Sequence, residues 1–202
     1  RDFGAYLWKY RDSDGDGCLE TWCTWDTGDD NNTRLLANEI YSTKYGAWCG
    51  ETAPVGRGRL PFESAEYMAY SYSHRRTLAI ISDILGNGEG DFWRGEAEKI
   101  RQKVREYLWD DEKKAVYDRD CDNEMLYTLT LENMKCMYHG LFYQDMADDF
   151  IRCHLLCRDE FFTPLPLPNL AANDPLFYVN DEYNNFTPEV AAKVREYMSG
   201  DA

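Results

Sequence analysis

The chain has 202 residues, 44% of them hydrophobic, and a net charge of −15. That is long and apolar enough for one folded domain or part of one. The acidic balance and the lack of any Lys/Arg-rich block argue against a nucleic-acid partner, and no apolar run reaches the roughly 20 residues that cross a bilayer, which argues against a membrane partner.

Residues 1–10 read as the end of an aromatic-rich helix, and residues 11–34 as loop. A short helix is predicted at about 35–45, followed by an irregular Gly- and Pro-containing segment at 46–62. The clearest helical signal covers 63–86. Apolar or aromatic residues recur at Tyr67, Tyr70, Leu78, Ile81 and Leu85, and Gly86 stops the run. A second long helix is predicted at about 91–109. Ala97, Ile100, Val104 and Leu108 form its buried stripe, and Lys99, Arg101, Lys103 and Arg105 its solvated side. Residues 115–121 read as a short extended piece, with helices resuming at about 124–137 and 144–157. The segment 159–187 is rich in Pro and Asn and reads as loop. Thr187 and Pro188 suit the N-cap and first position of a last helix, at about 188–198. No strand series, heptad or fixed-period repeat stands out. The fold class is therefore all-α, with antiparallel helix pairs joined by long loops.

Seven cysteines lie at 18, 23, 49, 121, 136, 153 and 157, without the C-x-x-C pairs of a zinc ribbon. Cys153, His154 and Cys157 fall within about one helical turn, but buried thiols are the simpler account. The odd count points to a reducing, cytoplasmic setting. The sequons Asn31-Asn32-Thr33 and Asn185-Phe186-Thr187 point the other way. No signal-like segment opens the chain, and its start at Arg1 without a Met suggests processing or truncation.

Two loop motifs carry chemistry. In Trp25–Arg34, a Gly turn holds Asp29 and Asp30 beside Asn31 and Asn32, with Trp22 and Trp25 upstream and Arg34 downstream. Carboxylates provide acid/base chemistry, amides and Arg read hydroxyls, and indoles hold apolar sugar faces. A carbohydrate pocket lined by Trp22, Trp25, Asn31 and Arg34 is one reading, and an Asx-rich helix-capping turn is the other. The tryptophans at 93 and 109, on or at the end of an amphipathic helix, are expected in the core. The second motif, Asp12–Glu20, has carboxylates at 12, 14 and 16 and Gly at the sixth position, like the first half of an EF-hand loop. Its twelfth position is Cys23, where an EF-hand has a bidentate Glu. Asp12, Asp14, Asp16 and the Cys18 carbonyl could hold calcium if a distant carboxylate closes the shell. Otherwise the segment is a solvated acidic turn.

Taken in order along the chain, these pieces resemble glycoside hydrolase family 63 and the related mannosylglycerate-hydrolase-type enzymes. The features are the Asp12–Glu20 loop, the Trp25–Arg34 loop, Glu63-Ser64-Ala65 opening the helix that ends Leu85-Gly86, Leu108-Trp109-Asp110 with Tyr117-Asp118-Arg119-Asp120, and Phe161-Phe162-Thr163-Pro164 with Ala171-Ala172-Asn173-Asp174-Pro175. The resemblance implies part of an (α/α)6 toroid, formed by residues 1–202 as one domain, and inverting hydrolysis of an α-linked glucoside or mannoside. It implies Asp30 as the general acid. It also implies a structural calcium ion held by Asp12, Asp14, Asp16, the Cys18 carbonyl and Glu63, with no organic cofactor. The family's base, a Glu near the end of the barrel, has no counterpart here. The isolated chain is therefore expected to be inactive, and its exposed helix faces to need the remainder of the barrel or a second copy. Asp118, Asp120 and Asp122 are the alternative places for a base. The reading from a different class is a non-catalytic carbohydrate-binding or helical scaffold fragment.

Overall fold

The computed structural model describes residues 1–22, 61–175 and 177. The helices predicted at 35–45 and 188–198 lie outside these residues. Among the described residues the chain is mostly helical, with a few very short strands. Helix α1 spans Asp2–Tyr10, α2 spans Ala65–Leu85 and α3 spans Gly90–Tyr107. Two shorter helices follow, α4 at Glu132–Tyr138 and α5 at Gln144–Phe150, which continues through a π-helical turn at Ile151–Leu155.

The ends of α2 follow from its flanking residues. The Ser64 hydroxyl at the N-cap accepts the Tyr67 N–H at 3.3 Å. Gly86 adopts φ +62° at the C-cap, and the Asn87 N–H then reaches the Ser82 carbonyl, an arrangement that favours a residue without Cβ. Between these ends the buried stripe is Met68, Tyr72, Ala79 and Ser82. Ile81 and Leu85, two of the recurring apolar residues that marked the helix, are 45% and 69% exposed. The small side chains of Ala79 and Ser82 take the buried face of the last turns, which leaves the aliphatic residues off it.

On α3 the expected stripe of Ala97, Ile100, Val104 and Leu108 is buried. The expected solvated side holds only in part. Arg101 donates to the carbonyls of Leu141, at 3.1 Å, and Phe142. Lys103 is drawn onto Asp16. Tyr72, Phe142, Phe150 and Phe161 complete the core against this stripe. Trp109 packs edge-on against Phe142 with ring centroids 5.6 Å apart. Trp93 is a correction: it is half-buried and lines a surface cavity with Trp8 and His74. It lies one turn before Ala97 on the same face, near the N-terminal end of α3, where the buried stripe runs out to the surface.

The helix expected at 124–137 starts later. Met125–Leu126 forms a strand, β6, and the helix begins at Glu132. The reason is a local turn: Asp120 Oδ1 accepts the N–H groups of Asp122 and Glu124, and Asn123 sits at φ +65°. This turn folds β6 back on β5 (Asp118–Arg119). With β1 (Glu20–Thr21) and β2 (Phe62–Glu63) they make a four-stranded antiparallel sheet in the order β1-β2-β5-β6. Strands β3 (Trp109–Asp110) and β4 (Ala115–Val116) form a separate hairpin.

The connections sort by length. The α2–α3 and α4–α5 turns are short. The connections after α1, between α3 and α4, and after α5 are long, and because α2 and α3 pack against each other across a short turn, the chain enters α2 and leaves α3 at the other end of that pair. The small sheet gathers strands from two of these connections, β1 and β2 from the one after α1 and β5 and β6 from the one between α3 and α4.

Candidate functional site

The Asp12–Glu20 loop lies at the end of the fold that carries the sheet. Its shape is set by side-chain turns. Asp12 Oδ1 accepts from Gly17 N–H at 3.3 Å, Asp14 Oδ1 from Asp16 N–H at 3.1 Å, and Asp16 Oδ1 from Cys18 N–H at 2.7 Å. Gly15 and Gly17 turn the chain at φ +77° and +89°, where an L side chain is strained. The loop then enters β1, whose register places Glu20 directly opposite Glu63 on β2.

The result is a concentration of negative charge at a buried spot. Ligand atoms of Asp12, Asp14 and Asp16 lie within 4.8 Å of one another, and the same holds for Asp14, Glu20 and Glu63, and for Asp16, Cys18 and Glu63. Glu20 and Glu63 are only 3% and 6% exposed. Like charges facing each other across strands destabilise a sheet, and burial adds to the effect. Burial first, and then Asp16, Asp14, Glu20 and Asp12, push the Glu63 carboxyl up to about 8. Burial likewise raises Asp12 and the Cys18 thiol. Glu63 Oε2 is fully buried and, among the described residues, has no hydrogen-bond partner.

A cavity of about 260 Å³ opens here, with Asp14, Asp16, Glu20, Glu63, Tyr107 and Asp120 on its wall. Lys103 Nζ contacts Asp16 Oδ2 at 3.1 Å and stands 3.7 Å from the Tyr107 ring centroid. Hard oxygen ligands around an orphaned buried carboxylate oxygen fit a calcium-type ion. Of the expected ligands, the structure brings together Asp12, Asp14, Asp16 and Glu63. Glu20 and Lys103 are additions. Glu20 belongs to the motif but not to the expected ligand set, and only the β1/β2 register reveals its place. Lys103 sits on the flank of α3's stripe, where a Lys reads as solvated.

The sugar-binding expectation is described only at its edge. Trp22 follows β1, is 41% exposed, and donates its indole N–H to Glu20 Oε2 at 2.9 Å. Asp30, Trp25, Asn31 and Arg34 lie outside the described residues. The alternative bases have local duties: Asp118 Oδ1 accepts the first N–H of α2, from Ala65, at 2.9 Å, and Asp120 holds the β5–β6 turn.

Residues 3–184 match the mannosylglycerate hydrolase MGH1-like glycoside hydrolase domain. The chain belongs to this glycoside hydrolase family, which is of the family 63 type. The fold is similar to that of the family 63 mannosylglycerate hydrolase from Thermus thermophilus solved in complex with glucose. The TM-score is 0.70 at 15% identity, over 90% of this chain and 48% of that one. A structure of the same enzyme with Tris and D-glycerate gives 0.66 at 14% identity, over 87% and 50%. The neutral trehalase from Saccharomyces cerevisiae gives 0.50 at 13% identity, over 69% and 25%. These relatives place the helices and loops described above in a helical-barrel fold. The chain spans about half the length of the mannosylglycerate hydrolase structures it matches. No curated protein matches the sequence.

Proposed function

We propose that this chain is the general-acid-bearing part of an inverting α-glycosidase acting on an α-linked glucoside or mannoside. The observation that carries the reading is the family match over residues 3–184. The glucose and D-glycerate bound to the T. thermophilus enzyme support a glycoside substrate. In this reading residues 1–202 form one domain, part of an (α/α)6 barrel. Asp30 protonates the departing oxygen, and Trp22, Trp25, Asn31 and Arg34 line the sugar pocket. Inversion needs a second carboxylate about 6.5–9.5 Å from the first, with a water between sugar and base. That base comes from the remainder of the barrel.

A carboxyl that donates a proton near neutral pH needs a raised pKa, from burial or a like charge. Asp29 is adjacent to Asp30 and Asp26 lies four residues before it, so a like charge is at hand. Asp12, Asp14, Asp16, the Cys18 carbonyl and Glu63 would hold calcium. The ion would supply the positive charge that the buried carboxylates lack, and would tie the segment entering the catalytic loop to the start of α2. Its role is structural.

The test uses a protein with a complete barrel. Nuclear magnetic resonance of the first product formed from α-glucosides and α-mannosides is expected to show the β-anomer. A first-formed α-anomer would reject inversion, and no hydrolysis of any α-glycoside tried would reject the enzymatic reading.

A further inference from the structure

We propose that the Lys103 ammonium is the resident counter-charge of the acidic site and competes with the calcium ion for Asp16, so that Lys103 sets the affinity for the ion. The inference rests on the calcium reading above and adds a residue to it.

The site is more than a patch of acidic residues. The Glu63 carboxylate is buried, lines the cavity, and has an oxygen with no partner among the described residues. Five carboxylates converge there, from Asp12, Asp14, Asp16, Glu20 and Glu63. Lys103 brings an ammonium to one of them. It lies 3.1 Å from Asp16 Oδ2. Asp16, like Asp14 and Glu63, belongs to two of the three ligand clusters.

The surroundings hold this ammonium in place. Lys103 and Tyr107 are one turn apart on α3, so their side chains share a face. The ammonium rests against the Tyr107 ring, 3.7 Å from its centroid, and Lys103 is only 25% exposed. The neighbouring Arg119 is committed elsewhere. Its guanidinium donates to the Tyr107 carbonyl at 2.7 Å and the Asn123 carbonyl at 2.9 Å. Lys103 is therefore positioned by α3, independently of the loop it neutralises.

In this structure the ammonium meets one of these oxygens, Asp16 Oδ2, rather than gathering several, and its single charge does not balance five carboxylates. A divalent ion that does gather them meets Lys103 at close range. It must either displace the ammonium from Asp16 or bind beside it. In both cases the Lys charge opposes binding. At about 5 Å, and with a dielectric close to that of water, repulsion between a divalent ion and an ammonium corresponds to roughly a tenfold loss of affinity.

The experiment titrates calcium chloride into wild type, Lys103→Met and Lys103→Arg by calorimetry at fixed ionic strength, alongside thermal unfolding in chelator. Lys103→Met is expected to bind calcium about tenfold more tightly and to unfold at a lower temperature when metal-free. Lys103→Arg, which keeps the charge, should stay within about threefold of wild type. If wild type binds calcium and Lys103→Met binds it equally well or less well, the Lys103 inference is overturned while the calcium site stands. If no form binds calcium, the calcium reading fails and takes the inference with it. Binding by Lys103→Met where wild type shows none would support the inference in its strongest form.

Discussion

Replacing Glu63 by Gln should have opposite effects with and without calcium. The Glu63 carboxyl is pushed up to about 8 from an ordinary 4.5. A carboxyl raised in the fold contributes stability that is full below about 4.5 and is lost as pH rises through about 8. The difference amounts to about 5 kcal/mol at about 1.4 kcal/mol per pH unit. That is an upper bound, because the loop can spread its carboxylates apart. Gln keeps the shape and removes the charge. In chelator at pH 8 the variant should therefore be more stable than wild type, by about 1–3 kcal/mol once relaxation is included. In calcium at a hundred times its dissociation constant, wild type gains about 2.7 kcal/mol. The variant, lacking a charged ligand, should gain much less. Urea unfolding at pH 8, with chelator and with calcium, reads both arms. If Glu63→Gln is less stable than wild type in chelator and shows the same calcium response, Glu63 is an ordinary packing residue and the reasoning is wrong.

Trp109 packs against Phe142 at the edge of the core, so Trp109→Ala should lower stability by about 2–4 kcal/mol in denaturant unfolding. Trp25→Ala should instead weaken sugar binding, read by calorimetry, with little change in unfolding midpoint. The N-cap variant Ser64→Ala should cost about 1 kcal/mol in the same unfolding assay, and a loss under a few tenths would mean that Ser64 does not cap α2.

What could be read from the chain depended on how local each signal was. The α3 stripe from Ala97 to Leu108 repeats over several turns, and the structure buries it as expected. The two-residue strands carry no period, so only the extended piece near 115–121 was visible. The Asp122-Asn123 pair could have flagged the turn that shortens the helix at 124–137, since Asn tolerates a positive φ. The Asp12–Glu20 loop was legible because its carboxylates lie within a few residues of one another. Glu63 was reached only through the family resemblance, because nothing in its own neighbourhood marks a ligand. The pairing of Glu20 with Glu63 depends on strand register, and the contact of Lys103 with Asp16 spans 87 positions of sequence. Neither leaves a local trace.

The central claim is that Asp30 is the general acid, and its most direct test is leaving-group dependence in a protein with a complete barrel. A general acid matters in proportion to how badly the departing oxygen needs a proton. Asp30→Asn should cut turnover of unactivated α-glycosides by about 10²–10⁴-fold, yet hydrolyse glycosyl fluorides or dinitrophenyl glycosides, which leave without protonation, at rates near wild type. Near-normal turnover of unactivated glycosides, or an equal loss on both substrate classes, would contradict the assignment.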